Sequence, residues 1–162
     1  MRTALIGLGN ILLSDEGIGV HAINLIRQRY AFEPEIDIID GGTLGLDLLH
    51  FFENRNDVVI VDAVNLKQAP GYIKILRNEE IPSTINKKLT VHHIGLADIL
   101  SSLRLLGKYP KNIVLVGIQP KSLEMTLDMT DVLKDRLEDI IQFTIKELEV
   151  IGHKCALQYH QR

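Results

Sequence analysis

The chain predicts a three-layer α/β/α domain built on a mostly parallel, twisted sheet of about five strands. Two observations predict it. Short continuous apolar runs, of the kind buried on both faces of a sheet, recur along the 162 residues. Between them lie segments whose apolar residues return every three or four positions, as one face of a helix requires. Strand and helix signals alternating in this way mark βαβ units and a parallel sheet covered on both faces. No repeat, low-complexity tract or linker divides the chain, so residues 1–162 read as one domain. The weakly patterned tail over 151–162 is expected to be loose or folded back.

The elements follow in order. Thr3-Ala4-Leu5-Ile6-Gly7-Leu8 is the first strand, closed by Gly9-Asn10. A helix is expected over residues 15–30, where Ile18, Ala22, Ile26 and Tyr30 recur every fourth position. Residues 35–39 form a second strand ending at Asp40-Gly41-Gly42, and residues 44–52 a short apolar helix. Val58-Val59-Ile60-Val61 is the clearest buried strand, and it stops at Asp62. A fourth strand, 72–76, follows the turn signal Pro70-Gly71 without an intervening helix, so one pair is expected to be antiparallel. After a polar stretch over 81–90, Leu96, Ile99, Leu100, Leu103 and Leu106 mark a helix. Ile113-Val114-Leu115-Val116 is the fifth strand, and a long helix over 130–150 carries Leu133, Leu137, Ile140, Ile141, Thr144 and Leu148 on one stripe.

Composition excludes several functions. The net charge of −3 supplies no basic field, so nucleic-acid binding would lack its electrostatic drive. The single cysteine, Cys155, permits neither an internal disulfide nor a cysteine zinc site, and its place in the tail makes it a poor nucleophile. No run approaches the roughly 20 apolar residues of a membrane span, and the first residues lead directly into a strand rather than a signal peptide. The expectation is a cytoplasmic protein that engages no membrane.

Gly7-Leu8-Gly9-Asn10-Ile11-Leu12 invites comparison with the dinucleotide fingerprint, but Leu12 stands where its third glycine belongs. A pyrophosphate at the following helix start would also meet Asp15 and Glu16, two like charges. A tight strand exit accounts for both glycines better than a nucleotide site does.

Three polar residues carry the functional reading. Glu16 sits where a helix dipole would favour any acid. Asp62 directly follows four β-branched residues, so its carboxylate ends a buried strand, where desolvation calls for a partner or a cation. His92 and His93 precede a helix start, and in extended chain they point opposite ways, so one of them at most faces a given site. In an open parallel sheet, ligands bind outside the carboxyl ends of the strands where strand order reverses, and all three residues can converge there. Two carboxylates and an imidazole, with no thiolate, suit zinc, nickel or manganese.

With these residues in place, the chain resembles the hydrogenase maturation endopeptidases over nearly its whole length. The segment from Gly7 to Val20 is similar to the family's opening motif, Asp40-Gly41-Gly42-Thr43-Leu44-Gly45 to its second and Val61-Asp62-Ala63 to its third. Thr90-Val91-His92-His93-Ile94-Gly95-Leu96 carries the histidine position, with Thr90 where the family often has Ser; Gly95-Leu96-Ala97-Asp98 aligns His92 rather than His93. Pro120-Lys121-Ser122-Leu123-Glu124 resembles a further family segment.

The resemblance implies an endopeptidase that removes the C-terminal extension of a nickel–iron hydrogenase large-subunit precursor after nickel insertion, cutting after a His or Arg in the precursor's final cysteine motif. It implies Glu16, Asp62 and His92 as metal-binding positions. The divalent metal is then nickel supplied by the substrate, and zinc or another divalent ion fits the same donors in isolation. Asp40, Gly41, Gly42 and Thr43 follow the second strand at the same sheet edge. The glycines would admit a peptide, and Asp40 is a candidate to orient the water or bind substrate; a glycine turn with Thr43 capping the next helix is the alternative. No residue stands out as the general base. Two other classes compete: a nickel carrier or assembly chaperone using the same triad, and a nucleotide-dependent oxidoreductase.

Overall fold

The apolar run Val58-Val59-Ile60-Val61 forms the middle of strand β4 (Asp57–Ala63), and all four residues are completely buried. The computed structural model describes residues 2–85 and 95–158. On one side β4 pairs in parallel with β1 (Ala4–Leu8), which in turn pairs in parallel with β3 (Asp37–Gly42). On the other side it pairs in parallel with β6 (Asn112–Ile118), and β5 (Ile73–Arg77) closes that edge antiparallel to β6. The five-stranded sheet therefore has the order β3-β1-β4-β6-β5. The antiparallel pair expected from the short fourth-strand connection is present, although β5 crosses past β6 instead of pairing with β4.

Pleating sends alternate side chains to the two faces. Leu5, Val59 and Val61 meet α1 (Ile18–Arg29) and α5 (Asp131–Ile151), in a core that includes Ile23, Ile26, Leu133 and Ile141. Ala4, Ile6, Val58 and Ile60 face the other side, with Phe52 of α2 (Leu49–Phe52), Ile81 of α3 (Glu80–Thr84) and Leu100 of α4 (Leu96–Leu105). From β1 the chain runs outward to β3, then returns across β1 to β4, passes to β5 at the far edge and comes back to β6. Strand order thus reverses between β1 and β4, and their carboxyl ends define the crevice where such sheets bind ligands.

Two local features differ from the sequence reading, and the tail takes the second of the two forms expected for it. The helix expected over 15–30 is a 3-10 turn (Ser14–Gly17) followed by α1, and Tyr30 leaves it to start β2 (Tyr30–Glu33). The stretch over 81–90, expected only to be polar, opens within α3. The tail folds back as β7 (Lys154–Leu157), antiparallel to β2. Buried His153 fastens this return, with Nδ1 2.7 Å from the Pro34 carbonyl and Nε2 2.8 Å from the Thr3 hydroxyl. In β7, Cys155 is half-buried, and burial, with the Glu149 charge adding, pushes its thiol up to about 11. Such a thiol carries almost no thiolate at neutral pH. Among the described residues no helix is long and apolar enough to cross a membrane.

Candidate functional site

Glycine contacts decide where Glu16 lies. The start of α1 rests directly on the ends of β1 and β4: a Cβ at Gly19 would lie 2.1 Å from the Val61 carbonyl oxygen and 2.5 Å from that of Leu8. A Cβ at Gly7 would come within 2.5 Å of the Gly19 oxygen. Beyond the strand, Gly9 has φ +117° and its Cβ would lie 1.8 Å from the Glu16 oxygen. The glycines that resemble a nucleotide fingerprint are thus consumed by packing between strand and helix. Their effect is to lay the Ser14–Gly17 turn against β4, beside the strand's last residues.

Asp62 follows Val61 on β4 and pairs with Gly117 of β6. Strand alternation puts it on the face covered by α4, the helix that follows residue 95. Its carboxyl is held well above the ordinary carboxylate range, first by burial and then by the Glu16 charge, with the Ala63 backbone N–H opposing. Glu16 is itself buried. Two electrostatically coupled carboxylates at the point of strand reversal destabilise one another unless a cation or proton compensates. Their hard oxygen donors are those a divalent metal takes.

The other residues picked from sequence are placed differently. His92, like His93, lies outside the described residues, and among those described no set of three His, Cys, Asp or Glu side chains is gathered as a metal would need. Asp40 lies within β3 in register with Gly7, two strands from β4, which separates it from Asp62 by about 10 Å of sheet. It is exposed, and alternation aims it at the α1 face, opposite to Asp62. Gly41 fits under Leu8, where a Cβ would meet the Leu8 side chain at 2.7 Å. Gly42 turns at φ +42°, and its carbonyl accepts the Gly9 N–H at 3.0 Å. Thr43 is exposed and caps nothing, because the following 3-10 turn (Gly45–Leu48) begins behind Leu44 with no side-chain cap. The structure therefore joins Glu16 with Asp62 and sets residues 40–43 along the neighbouring rim.

Sequence reasoning missed Asp15, which it treated only as a charge. Asp15 is completely buried. Its Oδ2 accepts the backbone N–H groups of Lys121 at 2.9 Å and Ser122 at 3.1 Å, and its Oδ1 accepts that of Thr130 at 2.8 Å. The Thr130 hydroxyl donates to the same carboxylate. Ser14 adds to this, its N–H donating to the Thr126 carbonyl and its hydroxyl to that of Asp128, both at 2.9 Å. The turn bearing Glu16 is stitched in this way to the β6–α5 loop. The one sequence signal was the motif-like segment 120–124, whose partner could not be read from spacing.

The Gly9 contact makes a sharp prediction. Gly9→Ala forces a Cβ into the Glu16 backbone and should lower Tm by roughly 10 °C or more, a loss of several kcal/mol in a chain of this size. Thermal unfolding followed by circular dichroism checks this, and an unchanged Tm would show that the turn is not held by this contact.

Comparison with known proteins follows the same lines. The family model described as hydrogenase maturation protease (HycI) matches residues 20–147, a span that includes Asp62 and His92 and begins after Glu16. Hydrogenase 2 maturation protease of Escherichia coli is 42% identical over 153 residues, covering 94% of this chain and 93% of that protein. The hydrogenase expression/formation protein HoxM of Cupriavidus necator is 37% identical over 138 residues, covering 84% and 68%. Among solved structures, the hydrogenase maturating endopeptidase HybD from Escherichia coli superposes with a TM-score of 0.90 at 40% identity, covering 98% of each chain.

Proposed function

The chain belongs to the hydrogenase maturation protease family, and on that premise we propose that it is the endopeptidase that removes the C-terminal extension of a nickel–iron hydrogenase large-subunit precursor after nickel insertion. One observation supports the role given to the site: buried Glu16 and half-buried Asp62 hold electrostatically coupled carboxylates at the point of strand reversal. Carboxylate oxygens placed together are donors that a divalent ion takes, and in this reading the ion is the nickel carried in by the precursor. His92, from the segment before α4, completes the donor set in this reading. Zinc or another divalent ion would suit the same donors in the isolated protein.

Docking of the precursor's nickel against these side chains fixes the scissile peptide in the crevice, and such positioning alone contributes substantially to rate. Hydrolysis then adds water to the peptide carbonyl and releases the extension as a new amine. The nickel serves as the recognition element, and polarising the carbonyl or activating the water are the routes open to a metal. Asp40 is the candidate to orient that water or hold the substrate backbone, with Gly42 leaving room for close approach along the rim and Thr43 exposed beside it, while Gly41 is taken up by packing on Leu8.

The test is the mass of the product after incubation with nickel-loaded and nickel-free precursor. A single shortening near the C-terminus, fast only with the loaded precursor, is expected. Equal cutting of both forms would remove nickel recognition, and binding without shortening would favour a carrier or assembly chaperone.

A further inference from the structure

The rim of the crevice carries exposed apolar side chains on three neighbouring loops. Ile11 and Leu12 project from the β1–α1 loop, Leu44 and Leu46 from the segment after β3, and Met125 and Leu127 from the β6–α5 loop. Met125 is 87%, Leu127 65% and Leu12 54% exposed, so the fold makes little use of them. Hydrogen bonds set the loops side by side. Leu13 bridges Thr126 in parallel strand geometry, and the Ser14 N–H donates to the Thr126 carbonyl. Across β1, the Gly9 N–H reaches the Gly42 carbonyl.

These loops are also braced. Leu12 N–H donates to the Asn10 side chain at 2.9 Å, and the Asp15 carboxylate fixes residues 121, 122 and 130. Apolar side chains displayed on immobilised backbone form a surface that loses little entropy on binding, and a contiguous exposed patch of this sort marks an interaction site. The collar stands on the loops that follow the carboxyl ends of β1, β3 and β6, the sheet edge at which Glu16 and Asp62 lie.

We propose that this collar is the docking surface for the precursor, gripping an apolar stretch of its chain adjoining the bond to be cut. The proposal rests on the reading of the protein as a processing endopeptidase. Charge separates the precursor from a second copy of this chain as occupant. Asp40, Asp47, Glu124 and Asp128 fringe the collar, with Lys121 the one basic residue in segments 40–47 and 120–128. A two-fold self-contact would set this acidic fringe against itself. The fitting partner surface is apolar with a neutral or basic border.

The test compares wild type with the triple variant Leu12→Ser, Met125→Ser, Leu127→Ser, and with Val150→Ser on exposed α5 as a control. Calorimetric titration with nickel-loaded precursor should show the triple variant binding at least about tenfold more weakly. In turnover the same loss should appear in KM, with kcat held within about twofold. Val150→Ser should match wild type, and unchanged circular dichroism shows the triple variant to be folded. Unchanged precursor affinity in the triple variant overturns the proposal. So does unchanged affinity accompanied by loss of a wild-type dimer in sedimentation, which would assign the collar to self-association. A wild type that binds the precursor through the collar without shortening it would sustain the docking surface while defeating the endopeptidase reading.

Discussion

Asp62→Asn is expected to abolish precursor processing and, at neutral pH, to make the fold more stable. Both effects have one origin. In the folded protein the Asp62 carboxyl titrates well above its ordinary value near 3.8, because it is buried and faces the Glu16 charge. A carboxyl with a raised folded pKa binds its proton more tightly in the native state than in the unfolded chain. Its penalty on stability is therefore absent below about pH 4, grows as pH rises through the interval between the two values, and is complete above the folded one. The amide of Asn keeps the shape and removes the charge. Tm should rise by about 2–4 °C at pH 7, corresponding to roughly 1 kcal/mol, and the gain should vanish towards pH 4. Processing should fall by more than about 100-fold if Asp62 is the metal-facing donor proposed above, since losing such a donor exceeds the loss of a supporting residue behind one. Equal or lower Tm at pH 7 would contradict the coupled-carboxylate description.

Asp15→Ala should destabilise the fold strongly. The carboxylate is completely buried and serves three backbone N–H groups and the Thr130 hydroxyl. Removing it strands those donors away from water, and each stranded donor costs about 1–3 kcal/mol. A loss of at least ~3 kcal/mol follows, read as a Tm lower by roughly 10 °C in thermal unfolding. Because Asp15 also ties the Glu16 turn to the β6–α5 loop, processing at a temperature where the variant remains folded should fall as well. A Tm within a degree or two of wild type would show that the loop is held by other means.

The contrast between these two acids shows what was legible in the sequence. Asp62 announced itself because a charged residue ending an apolar run is a local pattern, and strand ends are where such sheets bind ligands. Asp15 did not, because its partners lie 106–115 positions away and backbone donors leave no trace in composition. The same distinction runs through the fold. Strands β1, β4 and β6 are continuous apolar runs, and α4 and α5 keep strict stripes, so their places were readable. β2 and β7 have four residues each, half-exposed, and pair with each other across more than a hundred positions. Periodicity continued from α1 through Tyr30 because an outward turn of helix and the first residue of a strand can share one apolar position. Asp40 followed the same local rule as Asp62, yet the pleat and two strand widths set it apart from the Glu16–Asp62 pair. The collar was invisible for another reason: its six side chains come from three loops that only the folded sheet brings together.

X-ray absorption at the nickel edge tests most directly whether this protein reads nickel through carboxylates. Nickel-loaded precursor would be measured alone and then frozen in complex with the protein before turnover. Formation of the complex with wild type should add light oxygen or nitrogen scatterers to the nickel shell, with Asp62→Asn adding fewer. A nickel spectrum unchanged by binding, in a complex that goes on to be cleaved, would contradict the reading of Glu16 and Asp62 as its recognition site.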